Sequence, residues 1–71
     1  MTLGEQVRKA REKKGLTQEK LAHLAETTGA SIHRLENGKH NPSLAFVMRL
    51  ADTLGDLEWK ESGKSYLLRK K

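Results

Sequence analysis

Few residues in this chain can do chemistry, and their spacing limits what that chemistry is. His23, His33 and His40 are too scattered to share a metal ion, and no cysteine or clustered carboxylate assists them. No Ser–His–Asp arrangement can be argued in 71 residues, so catalysis is not expected and no cofactor is implied. Ser62-Gly63-Lys64-Ser65 matches the end of a phosphate-binding loop, but the full pattern needs glycine five residues before Gly63, where Glu58 stands. What remains is a set of side chains suited to hydrogen-bonding a polyanion: Gln18, His33, Arg34, Asn37 and Lys39.

Apolar spacing and punctuation define the elements that must position them. Thr2-Leu3-Gly4-Glu5 has the spacing of a capping box, in which the threonine and the glutamate satisfy each other's free backbone N–H groups. The spacing predicts a first helix with Leu3, Val7 and Ala10 inward, ended by Gly15. Thr17 caps a second, with Leu21, Ala22, Leu24 and Ala25 on its buried side. Thr28 caps a third, with Ile32 and Leu35 inward and Gly38 as its stop. Pro42 marks a connector, and Ser43 caps a fourth helix carrying Leu44, Val47, Leu50, Ala51 and Leu54 and closed by Gly55. Residues 56–71 break this period. Leu57 and Trp59 alternate with charged residues, Tyr66 and Leu68 do so less cleanly, and Glu61-Ser62-Gly63-Lys64 lies between them as a turn. A short hairpin is expected, with a fifth short helix over residues 57–61 as the alternative. A hairpin alone is barely stable in water, so the helical body or a second subunit must cover it.

Composition sets the outer limits. The chain is long enough for one domain with one small core, and Phe46, Trp59 and Tyr66 are its only aromatics. Such a core is mostly aliphatic and has little stability in reserve, so a partner subunit would help. No apolar run approaches the roughly 20 residues of a membrane span. A soluble, cytoplasmic protein is the simplest expectation. A net charge of +5 favours a polyanionic partner, since basic side chains displace counterions condensed on phosphates.

The run from Leu16 to Leu44 resembles the Cro/C1-type helix-turn-helix, also called the XRE family of phage repressors and bacterial regulators. Leu16, Thr17, Gln18, Glu19, Leu21, Ala22, Ile32, Arg34, Leu35, Glu36, Asn37, Gly38, Asn41, Pro42 and Ser43 stand where that pattern expects them. The flanking helices match too, so the likeness covers residues 3–55 in register and without gaps. It implies an all-α, lambda-repressor-like domain of four or five helices over residues 1–55. Residues 56–71 are then a C-terminal extension, and the partner is double-stranded DNA.

In such a domain the helix from Thr17 crosses the phosphate backbone and the helix from Thr28 enters the major groove. Gln18 lies in the first turn of the former, where its amide and the free backbone N–H groups can hold a phosphate. On the latter, Gly29, Ala30, His33, Arg34 and Asn37 share the face opposite Ile32 and Leu35. The resemblance makes Gly29, Ala30, His33 and Arg34 base-proximal, and Asn37 and Lys39 phosphate contacts. Arg34 can hold guanine O6 and N7 in a bidentate pair. Gly29 and Ala30 cannot read bases by side-chain hydrogen bonds. They would let the helix end approach closely, with the Ala30 methyl against a thymine methyl, and readout would lean on Thr28, Ser31, His33, Arg34 and DNA shape.

The resemblance also implies that Glu36 turns inward to pair with Arg11. At Glu26 the family pattern commonly has glycine; either the backbone is left-handed there, at a cost on the order of 1–2 kcal/mol, or the second helix runs on. The tail sets Lys60, Lys64, Arg69, Lys70 and Lys71 against Glu61, which suits phosphate contacts or simple solubility. Trp59, Tyr66, Leu67 and Leu68 suit either packing on their own domain or a homodimer interface. Two functions follow: a dimeric DNA-binding repressor, or the antitoxin of a toxin–antitoxin pair whose tail binds a toxin.

Overall fold

The computed structural model describes residues 2–61 and 63–69. Ser62 of the expected turn, and Lys70 and Lys71 of the basic tail, lie outside the described residues. Helices α1 (Leu3–Lys13), α2 (Gln18–Leu24), α3 (Gly29–Glu36) and α4 (Leu44–Leu54) are followed by strands β1 (Leu57–Glu61) and β2 (Lys64–Leu68). The hairpin forms, and the alternative fifth helix does not.

Each helix starts at the hydroxyl residue expected from the sequence. Thr2, Thr17, Thr28 and Ser43 hold extended backbone, and each side-chain oxygen accepts the N–H three residues on. At α1 the box is complete, with the Thr2 N–H donating to Glu5 Oε1 at 3.2 Å. That backbone bond, with help from the Thr2 side chain, holds the Glu5 carboxyl below its ordinary pKa.

The first three helices also end alike. The N–H groups of Leu16, Thr27 and Lys39 return to the carbonyls of Arg11, Ala22 and Arg34, at 3.0, 2.8 and 2.8 Å. This closure needs a left-handed residue just after the C-cap. Gly15 and Gly38 supply it at φ 70° and 73°, but after α2 it falls on Glu26, at φ 58°. Of the two readings of Glu26, the left-handed turn is the one adopted, and α2 stops at Leu24. Replacing Glu26 with glycine should therefore stabilise the domain by about 1 kcal/mol. Urea denaturation checks this, and an unchanged or lower midpoint would mean that the glutamate side chain offsets its own backbone strain.

The core is formed by Val7 of α1, Leu21, Ala22 and Ala25 from α2 and its cap, Ile32 and Leu35 of α3, and Phe46, Val47, Leu50, Ala51 and Leu54 of α4. Leu57 and Trp59 of β1 complete it. Two expected core positions are corrected. Leu24 is 48% exposed, because Leu21, Ala22 and Ala25 define a narrow stripe and Leu24 lies about a sixth of a turn outside it. Leu44 is 45% exposed in the first turn of α4, where Phe46 is buried instead, its ring tilted against that of His40 with centroids 5.3 Å apart.

The strands pair antiparallel, with Leu57 opposite Leu68, Glu58 opposite Leu67 and Trp59 opposite Tyr66. Leu57 and Trp59 face the helices, so the body of the domain covers the hairpin as the sequence required. Gln6 of α1 fastens it. Its amide nitrogen donates to the Glu58 carbonyl and its amide oxygen accepts the Glu58 N–H, both at 2.9 Å. One side chain thus does for β1 what a neighbouring strand would do.

Candidate nucleic-acid interface

α1 and α3 are held together by an ion pair at the place where they meet the turn leading into α2. Arg11 Nε donates to Glu36 Oε2 at 2.7 Å and Arg11 Nη2 donates to Glu36 Oε1 at 3.1 Å, while Nη1 donates to the Leu16 carbonyl at 2.8 Å. The side chains are only 13% and 3% exposed. The inward turn of Glu36 that the resemblance implied is present. Its bond to the Arg11 guanidinium raises the arginine pKa still further, so the guanidinium stays charged.

Gln18 joins this cluster. Its Nε2 donates to Glu36 Oε1 at 3.1 Å, so the amide is oriented by the carboxylate that locks the helices. The second N–H of that amide is the group left for an outside acceptor. Thr17 and Glu19 border the same shallow depression as Arg11 and Gln18.

On α3, His33 and Arg34 are exposed, and Ile32 and Leu35 on the opposite side are buried. Among the described residues, no hydrogen bond or ion pair engages the Arg34 guanidinium, so its donors are free. Ala30 is also exposed. Gly29 is half-buried, and a methyl added there would stand 3.2 Å from Cγ of Glu19, tighter than ordinary contact. Gly29 therefore lies at the seam with α2, at the edge of the exposed face.

The Thr28 hydroxyl accepts the Ser31 N–H at 3.2 Å and donates to Ser31 Oγ at 3.1 Å. Both hydroxyls are partly committed to the cap, and the Ser31 proton remains to donate. Asn37 Nδ2 donates to the His33 carbonyl at 2.8 Å and lies 3.4 Å from His33 Nε2. Exposed Lys39 follows directly after the left-handed Gly38. Thus Gln18, Ala30, Ser31, His33, Arg34, Asn37 and Lys39 can be followed from one helix start to the other helix end, with Thr28 capping and Gly29 spacing them.

One positioning residue was not anticipated. Arg49 of α4 donates from Nε to the Ala25 carbonyl at 3.1 Å, with its guanidinium carbon 5.8 Å from the Phe46 ring centroid. It neutralises the C-terminal end of α2 just before the strained Glu26. Its signal in the sequence was weak, since a lone arginine on an apolar helix reads as solvated.

No group of metal-ligating side chains forms among the described residues, and no helix there is long and apolar enough to cross a membrane. Two short helices set by a turn, the first presenting its start and the second its exposed flank, define a helix-turn-helix of the Cro/C1 type. The helix-turn-helix domain family matches residues 2–55, and the chain belongs to that family. A relative called an uncharacterized HTH-type transcriptional regulator, from Methanothermobacter thermautotrophicus, is 43% identical over 49 residues, covering 69% of this chain and 71% of its own. Among solved structures, the restriction-modification controller protein C.AhdI from Aeromonas hydrophila is 36% identical at a TM-score of 0.71, over 73% of this chain and 79% of that one. The P22 c2 repressor, solved with a synthetic operator, matches at a TM-score of 0.73 and 22% identity, over 76% of this chain and 82% of its own. At that identity the likeness concerns the fold.

Proposed function

We propose that this helix-turn-helix regulator is a sequence-specific, dimeric repressor that lays α3 in the major groove of double-stranded DNA. The observation that carries this reading is the free, exposed Arg34 on a helix whose other face is fixed in the core. α3 cannot rotate against α1 without breaking the Arg11–Glu36 pair, or against α2 without breaking the Gln18–Glu36 bond, so a base-reading side chain is held in place before DNA arrives. The 36% identical controller protein and the 43% identical transcriptional regulator support the regulatory role.

In this reading Gln18 and the first N–H groups of α2 hold one phosphate, and Lys39 holds another beyond the end of α3. Asn37, whose amide is turned onto its own helix, adds to that end of the contact. Arg34 and His33 reach base edges, while Ala30 and Gly29 allow close approach and a thymine-methyl contact. Thr28 and Ser31 contribute through the Ser31 hydroxyl and the shape of the helix start.

The test begins with an operator selected from random duplexes and follows binding by fluorescence anisotropy. Arg34→Ala should cost about 1–3 kcal/mol on the operator and relax preference at one base pair, with little loss on scrambled DNA. Lys39→Ala should weaken both DNAs alike and lower the salt slope by about 1. Equal losses from Arg34→Ala on both DNAs would sink the base-reading role.

A further inference from the structure

The chain has two asparagines, and their neighbours set them apart. Asn41 precedes Pro42, which has no backbone N–H, whereas Asn37 precedes Gly38, the residue that least obstructs its own nitrogen. In an Asn-Gly pair the glycine nitrogen can attack the side-chain carbonyl carbon Cγ of the asparagine. The new N–Cγ bond closes a five-membered succinimide ring, and the side-chain nitrogen leaves as ammonia, taking the proton of the glycine N–H. Water then opens the ring at either carbonyl, leaving aspartate or isoaspartate. The reaction needs no oxidant, enzyme or metal.

The end of α3 holds this pair in an unreactive arrangement. At ψ 9° of Asn37 the Gly38 nitrogen nearly eclipses the nitrogen of Asn37 and stands away from Cβ, so it cannot reach Cγ. Its N–H donates to the Leu35 carbonyl at 3.1 Å, and the Asn37 amide is drawn elsewhere by its 2.8 Å bond to the His33 carbonyl. The 2.8 Å return of the Lys39 N–H to the Arg34 carbonyl closes the turn over both. Yet this lock lies on the surface. Asn37, Gly38 and Lys39 are exposed, and nothing lies within 4 Å of where a Gly38 side chain would start. Releasing these bonds moves no core side chain, so the end of α3 opens at far less cost than the whole domain.

We propose that Asn37-Gly38 is a self-modification site, guarded by the cap of α3 and guarded further when DNA is bound. The second half rests on the DNA-binding reading above. There Asn37 and Lys39 hold the phosphate side of the contact, so bound DNA fixes the residues on both sides of the Gly38 nitrogen. The free regulator opens and ages, and the operator-bound one keeps its amide. Ageing disables the same interface. Aspartate at position 37 sets a negative charge at the negative end of α3 and against the phosphates, and it loses the donor to the His33 carbonyl. Isoaspartate also adds a methylene to the main chain ahead of Gly38, so the Lys39 N–H no longer meets the Arg34 carbonyl.

The full chain is incubated at neutral pH alone, saturated with selected operator, and in urea. Conversion is read by peptide mass, which rises by about 1 Da for one amide turned to acid, and by isoaspartyl methyltransferase labelling. It should be fastest in urea, about tenfold or more slower in the free protein, and slower again on operator. Asn41 should keep its amide in every arm. Asn37→Asp should raise the operator dissociation constant about tenfold with the helical circular dichroism unchanged. Equal rates in urea and in the free protein overturn the guarding cap, and an Asn37 that stays unchanged in urea overturns the site itself. An Asn37→Asp variant that binds operator as the wild type does overturns the loss of function. A bound operator that leaves the rate unchanged overturns protection by DNA. Fresh protein that selects no duplex overturns the DNA-binding reading, while the free and urea arms still decide the site.

Discussion

Arg11→Ala should lower the unfolding free energy by about 3–5 kcal/mol, the range for removing one partner of a buried pair. The reason is what stays behind. Glu36, with 3% of its side chain exposed, would keep a carboxylate in the interior with only the Gln18 amide to answer it. The Leu16 carbonyl would lose its guanidinium donor as well. A domain of this size has only about 5 kcal/mol in total, so the variant should retain about 2 kcal/mol or less and unfold at far lower urea. Replacing both partners, Arg11→Met with Glu36→Leu, should recover most of the loss, because no charge is then stranded. Urea titrations of the wild type, the single and the double variant decide it. A double variant no better than the single would show that the geometry of the pair, and not the orphaned charge, carries the stability.

The second large effect is at Gly4, where alanine should destabilise by about 2–3 kcal/mol although it is the better helix former. A methyl at Gly4 would run into the Leu35 carbonyl oxygen and stand 3.1 Å from Cα and the carbonyl oxygen of Glu36. These are backbone atoms at the end of α3, and they cannot rotate aside. α1 would have to lift off α3, stretching the Arg11–Glu36 pair at the same crossing. The loss should appear as a lower urea midpoint for Gly4→Ala, and operator affinity should fall with it. A midpoint equal to or above that of the wild type would show that α1 shifts freely.

The helix starts were legible because each rests on one hydroxyl side chain and the N–H three residues on, a local relation that spacing records. The same holds for Gly15 and Gly38, and for the hairpin, whose alternation at Leu57 and Trp59 is also local. Burial at the helix margins was less legible. Leu24 and Leu44 lie outside the core and Phe46 lies in it, because the width of a buried stripe depends on what packs against it. Gly4, Gln6 and Arg49 act through partners 24 to 52 positions away or on another helix, and nothing in their own neighbourhood announces it. Within the interface, the face holding His33 and Arg34 could be read from spacing. The tethering of Gln18 to Glu36 and the seam position of Gly29 could not, since both depend on the angle between α2 and α3.

The clasp of Gln6 on Glu58 spans 52 positions of a 71-residue chain. Contacts of such separation are made late, after the entropy of closing the long loop has been met by other contacts. Within this domain α1 is made before the strands, and it is therefore finished only when they arrive. Folding of this domain ends where its synthesis began.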